Sequence, residues 1–196
     1  MILSDLAIQQ ALRDRELIID PEPPLEHYNT SAVDLRLGES LKAWREDLIN
    51  ARGVDLRLWY DDIDFPTTMA NFIQDAPLEA GAFILQPRQF ALGQTLEKVG
   101  FPIAGRLAAR VEGRSSLARL GVVVHLTAPT IHNDFGGEEG ARITLEIINM
   151  GPFRIGLRPG RTRICQLIIE RVEGEIGGDQ QGQFRLQQDQ IGGTGN

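Results

Sequence analysis

A chain of 196 residues is long enough to bury a substantial core, and its length fits one domain. Hydrophobic residues at 42% and charged residues at 24% are those of an ordinary globular protein, while a formal charge of −7 argues against bulk attraction to nucleic acid or an anionic membrane. The single cysteine, Cys165, excludes an internal disulfide framework, and no apolar run reaches the roughly eighteen residues of a membrane span, so the expectation is a cytoplasmic protein with no membrane partner.

In chain order, Ser4 is placed to cap a short amphipathic helix carrying Leu6, Ile8, Ala11 and Leu12 and ending near Arg15. Pro21-Glu22-Pro23-Pro24 stops it. Ser31 to Gly38 then alternates as a strand that ends at the glycine, with Asp34 and Arg36 on the polar face, pairing with each other or meeting water. Residues 39–80 read as a variable insert without sustained period. Its aromatics, Trp44, Trp59, Tyr60, Phe65 and Phe72, predict a satellite core, with base stacking as the alternative. From Ala82 onward, apolar runs at Phe83–Leu85, Phe90–Leu92 and Leu107–Val111 recur between Gly and Pro, the punctuation of an all-β sandwich or barrel.

Arg106, Arg110, Arg114 and Arg119 offer local positive charge, and Gly105 and Gly113 break any helix through them. A strand to Glu112, a loop and a short helix stopping at Gly121 is the reading. It leaves Gly113-Arg114-Ser115-Ser116 at a helix N-terminus, where free N–H groups, a guanidinium and two hydroxyls suit a phosphate. Val122–Leu126 reads as a buried strand closing at Thr127-Ala128-Pro129. Arg142–Ile148 alternates, with Ile143, Leu145 and Ile147 on one face and Thr144, Glu146 and Ile148 on the other. A carboxylate at mid-strand among apolar neighbours costs free energy unless partnered, which makes Glu146 the first candidate for chemistry. Pro159-Gly160 is a type II turn signal that predicts a hairpin between Ile155–Leu157 and Ile164–Ile169. From Gly174 the chain holds seven glycines and six glutamines, with Phe184 and Leu186 as nearly its only large apolar anchors. That composition predicts a mobile tail, a candidate lid, after a single domain of residues 1–173.

Zinc-dependent nucleobase deaminases need His-x-Glu and Pro-Cys-x-x-Cys, and neither occurs here. Gly113-Arg114-Ser115-Ser116-Leu117 lacks the second glycine of a nucleophile elbow, and no Walker lysine or GxGxxG appears.

EGRSSLARLGVVVHLTA followed by LEIIN resembles the dCTP deaminase branch of the dUTPase-like nucleotide enzymes. ILSDLAIQQAL, PPLEHYNTSAVDLRLG and RPGRTRICQLI resemble the same family in the same order. The resemblance implies a mainly β, distorted jelly-roll or dUTPase-like barrel with a short N-terminal helix and another after the Gly-Arg-Ser-Ser loop. It implies a homotrimer with sites between subunits and zinc-independent hydrolysis of dCTP to dUTP and ammonia, supplying dTTP precursors. Glu146 would move protons, the Ala128 carbonyl and Ser115 hydroxyl would hold the water, and Arg119 would brace the site and favour ionised Glu146. Without the resemblance, a buried ion pair of Glu146 with Arg119 is an equal reading. Arg114, Ser115 and Ser116 would take the phosphates, accompanied by Mg2+ bound mainly through phosphate oxygens and water. Phe135 would stack on the sugar, with core packing as the plain alternative. His125 reads as a packed histidine near the site, in a segment with Leu126 and Thr127 where related enzymes sense dTTP as a feedback inhibitor. Phe184 and Gln187 match the lid motif, although Gln183 and Phe184 replace its lysine and tyrosine. His132 stands where the family usually carries an acid, which counts against diphosphatase activity, and the segment from Gly136 to Gly140 lengthens the following hairpin tip. A bifunctional enzyme giving dUMP, and a non-catalytic nucleotide-binding regulator, are the alternatives.

Overall fold

Ser4 caps α1 (Asp5–Arg13), its side chain accepting from the Ala7 N–H at 3.3 Å. Ile8 and Ala11 are buried as the amphipathic spacing predicts, whereas Leu6 is 69% exposed. The computed structural model describes residues 1–53 and 65–176. After α1 come β1 (Ile18–Asp20), β2 (Tyr28–Asn29), β3 (Ala32–Trp44), α2 (Glu46–Arg52), α3 (Phe65–Phe72), β4 (Ile73–Asp75), β5 (Leu78–Glu79), β6 (Ala82–Leu85) and β7 (Phe90–Gly100). The second half holds β8 (Leu107–Gly113), α4 (Ser115–Ala118), β9 (Val122–Val124), β10 (Thr130–Ile131), β11 (Ala141–Asn149), β12 (Ile155–Leu157) and β13 (Arg163–Arg171).

Every strand pairing among the described residues is antiparallel. The main sheet runs β10-β8-β13-β3-β7-β11-β9, with β1 added on β7 and both β2 and β4 on β3; β12-β6-β5 form a smaller sheet. The mainly β expectation therefore holds, including both short helices. Inward residues of β3, β8, β11 and β13 make the core, among them Leu35, Leu107, Leu145 and Ile169, each with no measurable exposure. Burying each such side chain contributes about 1.5–3 kcal/mol against the entropy of ordering the chain. Cys165 belongs to that core, and burial pushes its thiol pKa far up, which leaves it unreactive.

Four expectations are corrected. The strand through Asp34 does not end at Gly38 but continues to Trp44, because a residue without Cβ lets the backbones cross: a Cβ at Gly38 would stand 3.0 Å from the Gln94 carbonyl oxygen. Strand β9 stops at Val124 instead of Leu126, because His125 takes a left-handed φ of 61°. The Pro159-Gly160 turn forms, with Arg161 N–H donating to the Arg158 carbonyl at 3.2 Å, yet it joins no hairpin. Strand β12 pairs with β6, and β13 pairs with β3 and β8. Asp34 and Arg36 do not pair: Arg36 Nε lies 2.6 Å from the fully buried Glu97, and Asp34 takes Arg114 and Arg163.

Within residues 39–80, Trp44 at the end of β3 stacks on Phe90 of β7 with ring centroids 6.0 Å apart, so one of the aromatics there joins the main sheet. Trp59 and Tyr60 lie outside the described residues. No helix among the described residues is long and apolar enough to cross a membrane.

Candidate active site

Strand β11 lies between β7 and β9, and its alternation turns Ile143, Leu145 and Ile147 into the core while Thr144, Glu146 and Ile148 stay half-buried on the opposite face. Glu146 stands across from Leu92, and Thr144 across from Gln94. Three buried polar atoms on this stretch, Gln94 Nε2, Thr144 Oγ1 and Glu146 Oε2, have no hydrogen-bond partner among the described residues. Such atoms are rare in folded proteins and mark capacity for a ligand or water.

The partner that the fold does supply is His125. Its N–H donates to the Glu146 carbonyl at 2.8 Å, extending the register of β9 by one bond, and its left-handed backbone then swings the imidazole over the strand. That conformation costs a non-glycine residue about 1–2 kcal/mol. Nδ1 comes to 3.3 Å from Glu146 Oε2, off line for a hydrogen bond, and Nε2 lies 2.7 Å from the Ala128 carbonyl oxygen. A carbonyl only accepts, so Nε2 carries the proton in this contact. Burial by itself would raise the Glu146 pKa; interaction with the His125 side chain outweighs it and holds the carboxyl below its ordinary range.

The Gly113-Arg114-Ser115-Ser116 segment ends β8 and opens α4, as expected, though the helix is a single turn. Its far end is fixed by Gly121, whose φ of 88° and lack of a Cβ allow it against the backbone of Gly151. Met150 N–H donates to the Gly121 carbonyl at 2.7 Å, which ties α4 to the end of the strand that bears Glu146.

The structure thus brings Glu146, His125 and Ala128 together. Ser115, Ser116 and Arg119 are exposed, and among the described residues no hydrogen bond or ion pair joins Ser115 or Arg119 to Glu146. Among the described residues, the ionisable side chain beside Glu146 is that of His125. Nor do the four arginines share one patch: Arg106 meets the Gly174 carbonyl, Arg110 pairs with Glu112 and Glu170, and Arg114 pairs with Asp34. Thr127 and His132 are exposed. Phe135 is partly buried and packs against the core, and its carbonyl accepts from Phe101 N–H at 2.9 Å. Phe184 and Gln187 lie outside the described residues. His125 as the direct neighbour of Glu146, and Asp34 as the partner of Arg114, escaped the sequence reading. Nothing in local spacing announces either contact.

Fold and site define the class first: an antiparallel β scaffold with a half-buried strand carboxylate against a histidine, and a Gly-Arg-Ser-Ser segment that opens a one-turn helix. Residues 2–172 match the family model described as dCTP deaminase-like. The chain is 39% identical over 172 residues to a "dCTP deaminase, dUMP-forming" of Methanobrevibacter smithii, covering 87% of this chain and 80% of that protein. It is 37% identical over 181 residues to a "dCTP deaminase" of Rhodospirillum rubrum, covering 88% and 83%. The crystal structure of 2'-deoxycytidine 5'-triphosphate deaminase from Agrobacterium tumefaciens superposes with a TM-score of 0.60 at 19% identity, over 88% of this chain; the chain spans about half, 48%, of that protein's length. The chain belongs to the dCTP deaminase-like family.

Proposed function

We propose that this protein hydrolyses dCTP to dUTP and ammonia without zinc. The observation that carries the reading is the convergence of the Glu146 carboxylate and the Ala128 carbonyl on one histidine, in a chain of this family. Water held by the Ala128 carbonyl and a Ser115 hydroxyl attacks C4 of the cytosine and gives its proton to Glu146. Glu146 passes that proton to N3, then relays the second proton of the attacking oxygen to the departing amino group, which leaves as ammonia. A positioned base of this kind contributes about 10²–10⁴-fold, and fixed orientation of water and ring supplies more.

Ser115 and Arg119, exposed on α4, reach Glu146 from another copy in a homotrimer with sites between subunits. Arg114, Ser115 and Ser116 take the phosphates. Guanidinium and hydroxyl donors suit phosphate oxygens, and magnesium is held mainly by the triphosphate and water. Thr127, His132 and Phe135 border the nucleoside, Phe184 and Gln187 belong to the closing tail, and dTTP competes at the 125–127 segment. Work in the cytoplasm, on the pyrimidine deoxynucleotide pool, completes the reading.

A second reading has support in the relatives: the Methanobrevibacter protein is named dUMP-forming, as are four others at 37–40% identity. Against it stands His132 at the acid's usual place. Incubation with dCTP and Mg2+, followed by separation of products, discriminates. dUTP with ammonia supports the first reading and dUMP with pyrophosphate the second. Unchanged, tightly bound dCTP would show a regulator.

A further inference from the structure

Asp34 of β3 has a side chain 1% exposed, and its contacts are charged or strongly polar. Asn29 Nδ2 donates to Oδ1 at 3.3 Å, while Arg114 Nη2 and Arg163 Nη1 both stand 3.2 Å from Oδ2. Two guanidinium groups therefore converge on one oxygen. They would repel each other without it, and with it the trio keeps one net positive charge. Each guanidinium has five donors in a planar fork, so most remain for another acceptor; Arg163 also points Nη1 at the Glu26 carbonyl, 3.5 Å away. The Arg114 and Arg163 side chains are 26% and 38% exposed, so their free donors reach solvent from one place.

The sheet explains the convergence. Arg114 leaves the end of β8, whose Gly113 pairs with Cys165 of β13. Arg163 opens β13 opposite Arg36, and the register shift between Arg163 and Cys165 lets it lean toward Asp34. Arg36 does not compete, because Glu97 holds it through Nε at 2.6 Å and through its N–H at 2.8 Å.

We propose that Asp34 is a positioning residue for Arg114 and that Arg163 is a second phosphate-binding residue beside it, so that the triphosphate meets a two-arginine grip. This rests on the phosphate role of Arg114 proposed above. Calorimetry of the full chain with inorganic tripolyphosphate, and separately with dCTP, provides the test. Arg163→Gln weakens both by about tenfold, the loss of one charge-assisted contact, and Arg163→Lys recovers part because the charge remains while the fork is lost. Asp34→Asn weakens both as well, and in turnover KM for dCTP rises far more than kcat falls. Should Asp34→Asn fail to fold, the two Arg163 variants still decide. Equal tripolyphosphate affinity in wild type and Arg163→Gln, or no binding by wild type, overturns the proposal, and lowered melting temperature with unchanged affinity shows a structural brace instead. A wild type that deaminates no dCTP yet loses tripolyphosphate affinity on Arg163→Gln defeats the deaminase reading and leaves this one standing.

Discussion

At the scale of residues, the site turns on how one histidine treats one carboxylate. Glu146 is half-buried, which disfavours its charge, and His125 reverses that balance. A general base works only when ionised, so the acid limb of kcat/KM falls below the ordinary carboxylate range. His125→Asn leaves the burial and removes the imidazole that lowers the pKa; the pKa of Glu146 then rises and the acid limb moves to higher pH. Stability follows the same sign. A carboxyl lowered on folding contributes above its unfolded pKa and loses that contribution as pH falls through the folded pKa; in the variant burial acts alone, so the contribution is absent. A pH profile of ammonia release reads the shift, and an unmoved limb contradicts it. Glu146 itself was legible in the sequence, because an alternating strand names its misfit without knowledge of neighbours. His125 was not, because its role comes from a left-handed turn and a contact twenty-one positions away along the chain.

At the scale of elements, strands declared themselves by period and their limits did not. A glycine is punctuation in a sequence, but Gly38 serves a backbone crossing inside β3 and stops nothing. Pro159-Gly160 turns the chain as its chemistry requires, while the partners of the strands on either side are set by distant hydrogen bonds. Gly121 behaves as the sequence suggests, ending the α4 segment, and its left-handed backbone also seats α4 on the end of β11. Gly121→Ala adds left-handed strain of about 1–2 kcal/mol and a collision with Gly151. Urea unfolding checks this: the midpoint falls by at least that equivalent, and an unchanged midpoint sinks the assignment.

At the scale of the whole molecule, one chain carries every proposed catalytic group, yet no hydrogen bond or ion pair among the described residues joins Ser115 or Arg119 to Glu146. Glu146 and Ala128 share a histidine, whereas Ser115 on α4 and Arg119 just after it are exposed. An assembly in which α4 of one copy completes the Glu146 pocket of another makes a definite prediction. Glu146→Gln and Ser115→Ala chains are each inactive alone, and co-assembled they regain a fraction of wild-type turnover through mixed sites; a mixture as inactive as its parts contradicts shared sites. Family and mainly β fold were readable from the chain because they rest on local strings and periods, while assembly is a property of surfaces. The measurement that bears most directly on the whole account is ammonia release from dCTP by Glu146→Gln, with dCTP affinity measured on the same sample. The account predicts a kcat lower by about 10²–10⁴-fold or more with affinity nearly unchanged. Turnover near wild type, or turnover and affinity lost together, would contradict it.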